Sequence, residues 1–118
     1  MSDQAFNAAL CQSGSCAVSA GRLLPQLRDA TRRCSHGVLI SSGCLLRAHR
    51  CHAPGRDSGA YLVVQPCDTD RRPRGAAVAI GPVISDADAA AVTDWLTEGE
   101  LDAARLEPRL RLIVQLGL

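Results

Sequence analysis

Residues 5–27 read AFNAALCQSGSCAVSAGRLLPQL: a short apolar run, two cysteines bracketing Gln-Ser-Gly-Ser, then a leucine-rich stretch. Ala5–Leu10 has the length and character of a strand. Beyond the cysteines, Ala20, Leu23, Leu24, Leu27, Thr31 and Cys34 recur at helical spacing, which predicts a helix of about four turns ending near Arg33. Pro25 falls inside it. An interior proline removes a backbone hydrogen bond and crowds the previous turn, so the helix either kinks there or becomes regular only near Pro25. Between strand and helix, a loop of Ser and Gly bends sharply and aims Cys11 and Cys16 at one point.

Working outward, residues 37–41 (GVLIS) read as a second, buried strand. The stretch GCLLRAHRCHAPGRDSG (43–59) reads as a long irregular loop. AYLVVQ (60–65) and AAVAIGPV (76–83) read as two strands joined by PCDTDRRPRG, a hairpin connection. Ser85 is a good N-cap for a helix through DADAAAVTDWL, where Asp86 and Asp88 suit the first-turn dipole. Gly99 suits the C′ position that ends it. The tail EPRLRLIVQLGL (107–118) is compatible with a short strand or a helix. The order is therefore β-α-β-β-β-α. Its first β-α-β unit calls for parallel strands and a right-handed connection, and the hairpin extends the same sheet. That is the thioredoxin-like arrangement within the α/β class: helices packed on a small mixed sheet, one domain over residues 1–118.

Composition agrees with a soluble globular chain: 118 residues, 47% hydrophobic and 21% charged. With Phe6, Tyr61 and Trp95 as the whole aromatic set, aliphatic side chains must build the core. All 13 basic residues are Arg, and the net charge of +1 gives no whole-molecule case for nucleic acid. MSDQAFNAAL lacks a basic start and a long apolar stretch, so no signal peptide is expected. No apolar run reaches the length of a membrane span. The expected location is cytoplasmic, where six cysteines point to metal or redox chemistry rather than to a disulfide framework.

In an open α/β sheet, ligands bind beyond the carboxyl ends of the parallel strands. Cys11 and Cys16 leave the first strand at that end, Cys44 leaves the second, and Cys51 follows in the same loop. Cys34 and Cys67 belong to the opposite end. Four thiolates are what a [2Fe–2S] cluster takes. The spacing is unlike the C-x2-C knuckles of structural zinc, although a four-cysteine zinc site stays open as an alternative.

At these residues the chain resembles the thioredoxin-like [2Fe–2S] ferredoxins, which include the small ferredoxin-type subunit of NADH:quinone oxidoreductase. Cys11-Gln-Ser-Gly-Ser-Cys16 with AVSAGRLLPQL is similar to the family's strand, C-x4-C and Leu-rich helix. Ser42-Gly43-Cys44-Leu45 matches the start of its second motif, G-C-L-G-x-C. GPVISDADAAAVTDWLTEGELDAARL is similar to its last strand and helix. The resemblance spans roughly residues 5–106. It implies a cluster held by Cys11, Cys16, Cys44 and a fourth ligand. The family spacing would place that ligand at position 48, where Ala48 stands, so Cys51 takes the role, with His49 or His52 as alternatives. It also implies a homodimer or a subunit of a larger redox complex.

Other features have plainer readings. Cys34 lies on the apolar face of the first helix and reads as core. Cys67 reads as a turn residue, and a Cys34–Cys67 disulfide is the alternative for that pair. Arg47, His49, Arg50, His52 and Arg56 form a basic loop, either a solvated surface or a dock for an acidic redox partner. Trp95 reads as core or as a dimer contact. Ser13 and Ser15 lack His–Asp companions, and no phosphate-binding glycine motif is present. The expected function is single-electron transfer between redox partners through a [2Fe–2S] cluster, by a protein that is not itself an enzyme. The alternative is a cluster-free binding or assembly module with a redox-sensitive or zinc-binding Cys11–Cys16 pair. A thiol oxidoreductase is disfavoured by the lack of C-x-x-C.

Overall fold

The structure, a computed structural model, describes residues 4–11, 16–42 and 59–111, with the side chains of residues 16–19 and of Ser42 left out. Six elements follow in chain order: β1 (Ala5–Cys11), α1 (Cys16–Arg32), β2 (Gly37–Ser42), β3 (Ala60–Cys67), β4 (Val78–Val83) and α2 (Asp86–Glu98). The strands form one mixed α/β sheet in the order β2-β1-β3-β4. β1 and β2 run parallel, from Phe6↔Gly37 to Cys11↔Ser42. β3 is antiparallel to β1, with Ala5 opposite Cys67 and Leu10 opposite Leu62, and β4 is antiparallel to β3.

The alternation of β1 decides which face is packed. Phe6, Ala8 and Leu10 join Leu62, Val64 and Ile80 on one face, and Ala20, Leu23 and Leu27 of α1 with Val92, Trp95 and Leu96 of α2 complete a single buried cluster. Along the other face Asn7, Ala9, Val63, Gln65 and Ala79 are half-buried. Aliphatic side chains make up most of this core, as a chain with three aromatics requires.

α1 is continuous through Pro25 and begins at Cys16, earlier than its apolar spacing suggests. Pro25 and Gly21 are both exposed, so the carbonyl that the proline leaves without a donor lies on the solvent side. α2 has a full capping box: the Ser85 hydroxyl accepts from Asp88 N–H while the Asp88 carboxylate accepts from Ser85 N–H. It stops at Gly99, which has the left-handed φ of 84°. Past α2, two short 3₁₀ turns (Ala103–Arg105 and Pro108–Leu110) lead to Arg111, which bridges to Ile80 on β4. Trp95 is core, its indole N–H donating to Asp102 O at 2.9 Å.

No helix among the described residues is long and apolar enough to cross a membrane.

Candidate metal centre

β1 ends on Cys11, whose Cα partner across the parallel ladder is Ser42, the last residue of β2. The two strands thus terminate side by side, one on a cysteine and the other two residues before Cys44 in the chain. Cys11 is fully buried. By alternation it belongs with Ala5, Asn7 and Ala9 on the face turned away from the helices. Tyr61, at the start of β3, shares that face with Val63 and Gln65.

Cys16 opens α1. The first-turn amides of a helix carry partial positive charge. α1 has no acidic residue in its first turn, in contrast to α2 with Asp86 and Asp88. The sequence therefore leaves the positive end of α1 without an intrahelical carboxylate, next to its own cysteine.

Cys44 and Cys51, and with them His49 and His52, lie outside the described residues, as does the basic stretch 47–56. Among the described residues no group of three His, Cys, Asp or Glu is placed to hold a metal. Two of the four candidate cysteines, Cys11 and Cys16, are among the described residues. Cys11 is buried at a strand end and Cys16 stands at a helix start, and cysteine as a residue type is the soft ligand that suits iron–sulfur or zinc.

Sequence reading missed the Tyr61 environment. Tyr61 is 2% exposed, and its hydroxyl oxygen is buried without a hydrogen-bond partner among the described residues. Its ring lies over Gly81 of β4, where a Cβ would stand 2.5 Å from Tyr61 Cδ1 and 3.0 Å from the Ala60 carbonyl oxygen, at a φ of +147° that glycine tolerates. The Gly81–Pro82 peptide is cis. The signal was there in the strand AAVAIGPV, whose Gly-Pro pair sits where a packed strand normally has neither.

At the other end of the sheet stand Cys34 and Cys67, both with free thiols. Cys67 pairs with Ala5 and so projects on the face away from the helices. Cys34 lies on the helix side. A Cβ on Gly37, the partner of Phe6, would stand 3.3 Å from Cys34 Cβ, and the Cys34 thiol donates to Ala30 O at 3.3 Å. The sheet separates the two sulfurs, so they form no disulfide. Cys67 is also the last residue of β3 and 1% exposed, not a turn residue. Burial pushes the Cys34 thiol pKa up, with the Arg33 charge pulling the other way.

This end is tied by Arg71, held at φ 66° in the β3–β4 connection. Its Nη1 donates to His36 O at 2.8 Å and to Phe6 O at 3.3 Å, and lies 3.7 Å from Cys67 Sγ. The guanidinium thereby links three chain segments where β1 begins. Gln4 adds a bond to Cys67 O at 2.7 Å.

Comparison with family models, curated proteins and solved structures finds no match to the chain.

Proposed function

We propose that the chain is a thioredoxin-like [2Fe–2S] electron carrier that passes single electrons between partner proteins. The observation that carries this reading is the pairing of Cys11 with Ser42 at the ends of two parallel strands, with Cys16 opening the helix between them. Support for the thioredoxin-like assignment comes from the order β2-β1-β3-β4, a parallel first pair and an antiparallel third strand.

In this proposal Cys11, Cys16, Cys44 and Cys51 hold the cluster. When bound, the group supplies a one-electron couple whose potential depends on its ligands and surroundings. The chain's own residues do the rest. β1 lies between β2 and β3 and ends on Cys11, which is paired to Ser42 and buried. The start of α1 carries the partial positive charge of its first-turn amides. The Arg/His stretch 47–56 is the proposed dock for an acidic redox partner, and the chain acts as a homodimer or as a subunit of a redox complex.

The test is direct. Protein purified and reconstituted without oxygen should be red-brown and carry about two irons per chain. Colourless, iron-free protein after reconstitution overturns the cluster and leaves the cluster-free binding module. If the cluster binds, Cys51→Ala should abolish it while His49→Ala and His52→Ala leave it in place.

A further inference from the structure

The last two turns of α1 carry two rows of charge. In one, Asp29 pairs with Arg33 a turn further on, at 3.4 Å. In the other, Arg28 and Arg32 stand in the same i, i+4 relation, so two like charges are neighbours on the helix surface, which disfavours the helix slightly. Both are exposed, and neither guanidinium has an ion-pair or hydrogen-bond partner among the described residues. Arg32, in the last turn, complements the helix dipole, but Arg28 lies a turn too early for that.

The two arginines line a cleft of about 500 Å³ between the end of α1 and the start of β2, completed by Thr31, Cys34, Gly37 and Leu39. No carboxylate lines it among the described residues. The Thr31 hydroxyl and the Cys34 thiol donate back to the helix, to Leu27 O at 2.7 Å and Ala30 O at 3.3 Å, and burial favours the neutral form of that thiol. The carbonyls of the last turn, which would repel an anion, are engaged as well. Arg33 N–H donates to Asp29 O and Ala30 O at 3.3 and 3.1 Å, and Cys34 N–H to Thr31 O at 3.1 Å.

The strand wall adds donors. Phe6 N–H donates to His36 O at 3.3 Å, and Phe6 is the Cα partner of Gly37. In a parallel ladder with this register, alternate residues of β2 bond to β1, beginning with His36 and Val38. The backbone N–H groups of Gly37 and Leu39, the β2 residues that line the cleft, therefore point to the outer edge of the sheet. Their carbonyls share that edge, so it is the two guanidiniums that fix the sign of the ligand.

We propose that this cleft binds a small soluble phosphate monoester, its phosphate held between Arg28 and Arg32 and its organic part against Leu39 and the edge of β2. A phosphate monoester carries close to two negative charges at neutral pH, which matches two guanidiniums, and each guanidinium offers a fork of N–H donors to its oxygens. A carboxylate would leave one positive charge unmatched. The cleft volume falls in the range of small-molecule sites, about 300–1,000 Å³. None of Cys11, Cys16, Cys44 and Cys51 takes part, so the site stands or falls apart from the electron-carrier proposal.

The experiment titrates the full chain with phenyl phosphate, and separately with benzoate, which keeps the ring but has one charge. Both are followed by nuclear magnetic resonance at constant ionic strength and at a pH of about 7.5, above the second phosphate pKa of about 6. Saturable shifts of the Arg28 and Arg32 Nε–H signals and of the Gly37 and Leu39 amides are expected with phenyl phosphate, with benzoate binding at least about tenfold weaker. Arg28→Gln and Arg32→Gln should each weaken phenyl phosphate about tenfold, whereas Arg22→Gln, at an exposed position of α1 outside the cleft, should leave it unchanged. Absence of saturable shifts overturns the proposal, and so does undiminished binding in both cleft variants. Equal binding of benzoate overturns phosphate as the ligand class. An equal loss in Arg22→Gln means attraction by overall charge and overturns the cleft as the site.

Discussion

Tyr61→Phe is expected to raise stability. Tyr61 packs as an almost fully buried ring over Gly81, on the sheet face that carries Cys11, and its hydroxyl has no partner among the described residues. A buried hydroxyl that has left water without a replacement bond costs about 1–3 kcal/mol. Phenylalanine keeps the ring and its contacts, so removing the oxygen should recover about 1 kcal/mol, the low end of that range, because a small void remains where the oxygen stood. With a urea dependence of about 1–3 kcal/mol/M for a domain of this kind, the unfolding midpoint should rise by roughly 0.3–1 M with no change in slope. The measurement is a urea titration followed by far-ultraviolet circular dichroism on metal-free protein, wild type beside variant. A midpoint that falls by a similar amount refutes the reasoning. The hydroxyl then has a bond that matters, and the face beside Cys11 is polar where it is read as dry.

Two further predictions concern other parts of the fold. Asp88→Ala removes the acceptor of the Ile84 and Ser85 N–H groups, at 3.0 and 3.1 Å, and the buried partner of Arg109, so it should lower the free energy of unfolding by about 3 kcal/mol in the same urea assay. Because the Cys34 pKa is raised above the ordinary 9.0 chiefly by burial, the neutral thiol adds stability at pH below that value, and this is lost as pH rises through the folded pKa; Cys34→Ala should therefore show a shallower alkaline loss of stability than wild type in urea titrations across that range.

Period and punctuation carried most of the fold. β1, the hairpin strands and α2 follow from short apolar runs, Ser85 and Gly99, all of which act over a few residues. The boundaries that differ do so for tertiary reasons. β3 extends past Gln65 through Pro66 and Cys67 because the ladder to β1 continues to Ala5↔Cys67, and the Pro66 carbonyl accepts from Arg74 N–H at 2.8 Å. β4 starts at Val78 rather than Ala76, since residues 76 and 77 are exposed and Val78 is the first to meet β3 at Val64. α1 starts at Cys16 because helix formation there needs no apolar face, only the small residues that follow the loop.

What sequence could not show are pairings between residues far apart in the chain. Nothing local marks Arg71 as the residue that bonds Phe6 O and His36 O from a left-handed backbone, or joins Asp88 to Arg109. The same holds for Tyr61 over Gly81: each residue is unremarkable alone, and their close approach follows only from strand pairing. Of the candidate site, the places of Cys11 at a strand end and Cys16 at a helix start were legible because the apolar run and the helical spacing adjoin them directly; that the two act as a ligand pair is the proposal. The second pair rests on residues 43–58, where spacing alone speaks.

The two ends of the sheet are built differently, and this bears on where the site can tolerate change. At the end near Cys67, Arg71 and Gln4 stitch the β3–β4 connection to β1 and to the start of β2 through backbone carbonyls. At the other end Cys11 is held by the sheet itself, paired toward Ser42 on one side and, at the preceding residue, toward Leu62 on the other. A ligand set works only if its members are held close to the geometry that the bound group needs. A cysteine that ends a central strand has its backbone set by the sheet, and one that opens a helix has its backbone set by the helix. The fourth ligand of the proposed set, Cys51 where the resemblance would place a ligand at Ala48, lies beyond Ser42 and outside the described residues. Comparing Cys51→Ala with the His49 and His52 variants is therefore the decisive measurement for the proposed fourth ligand.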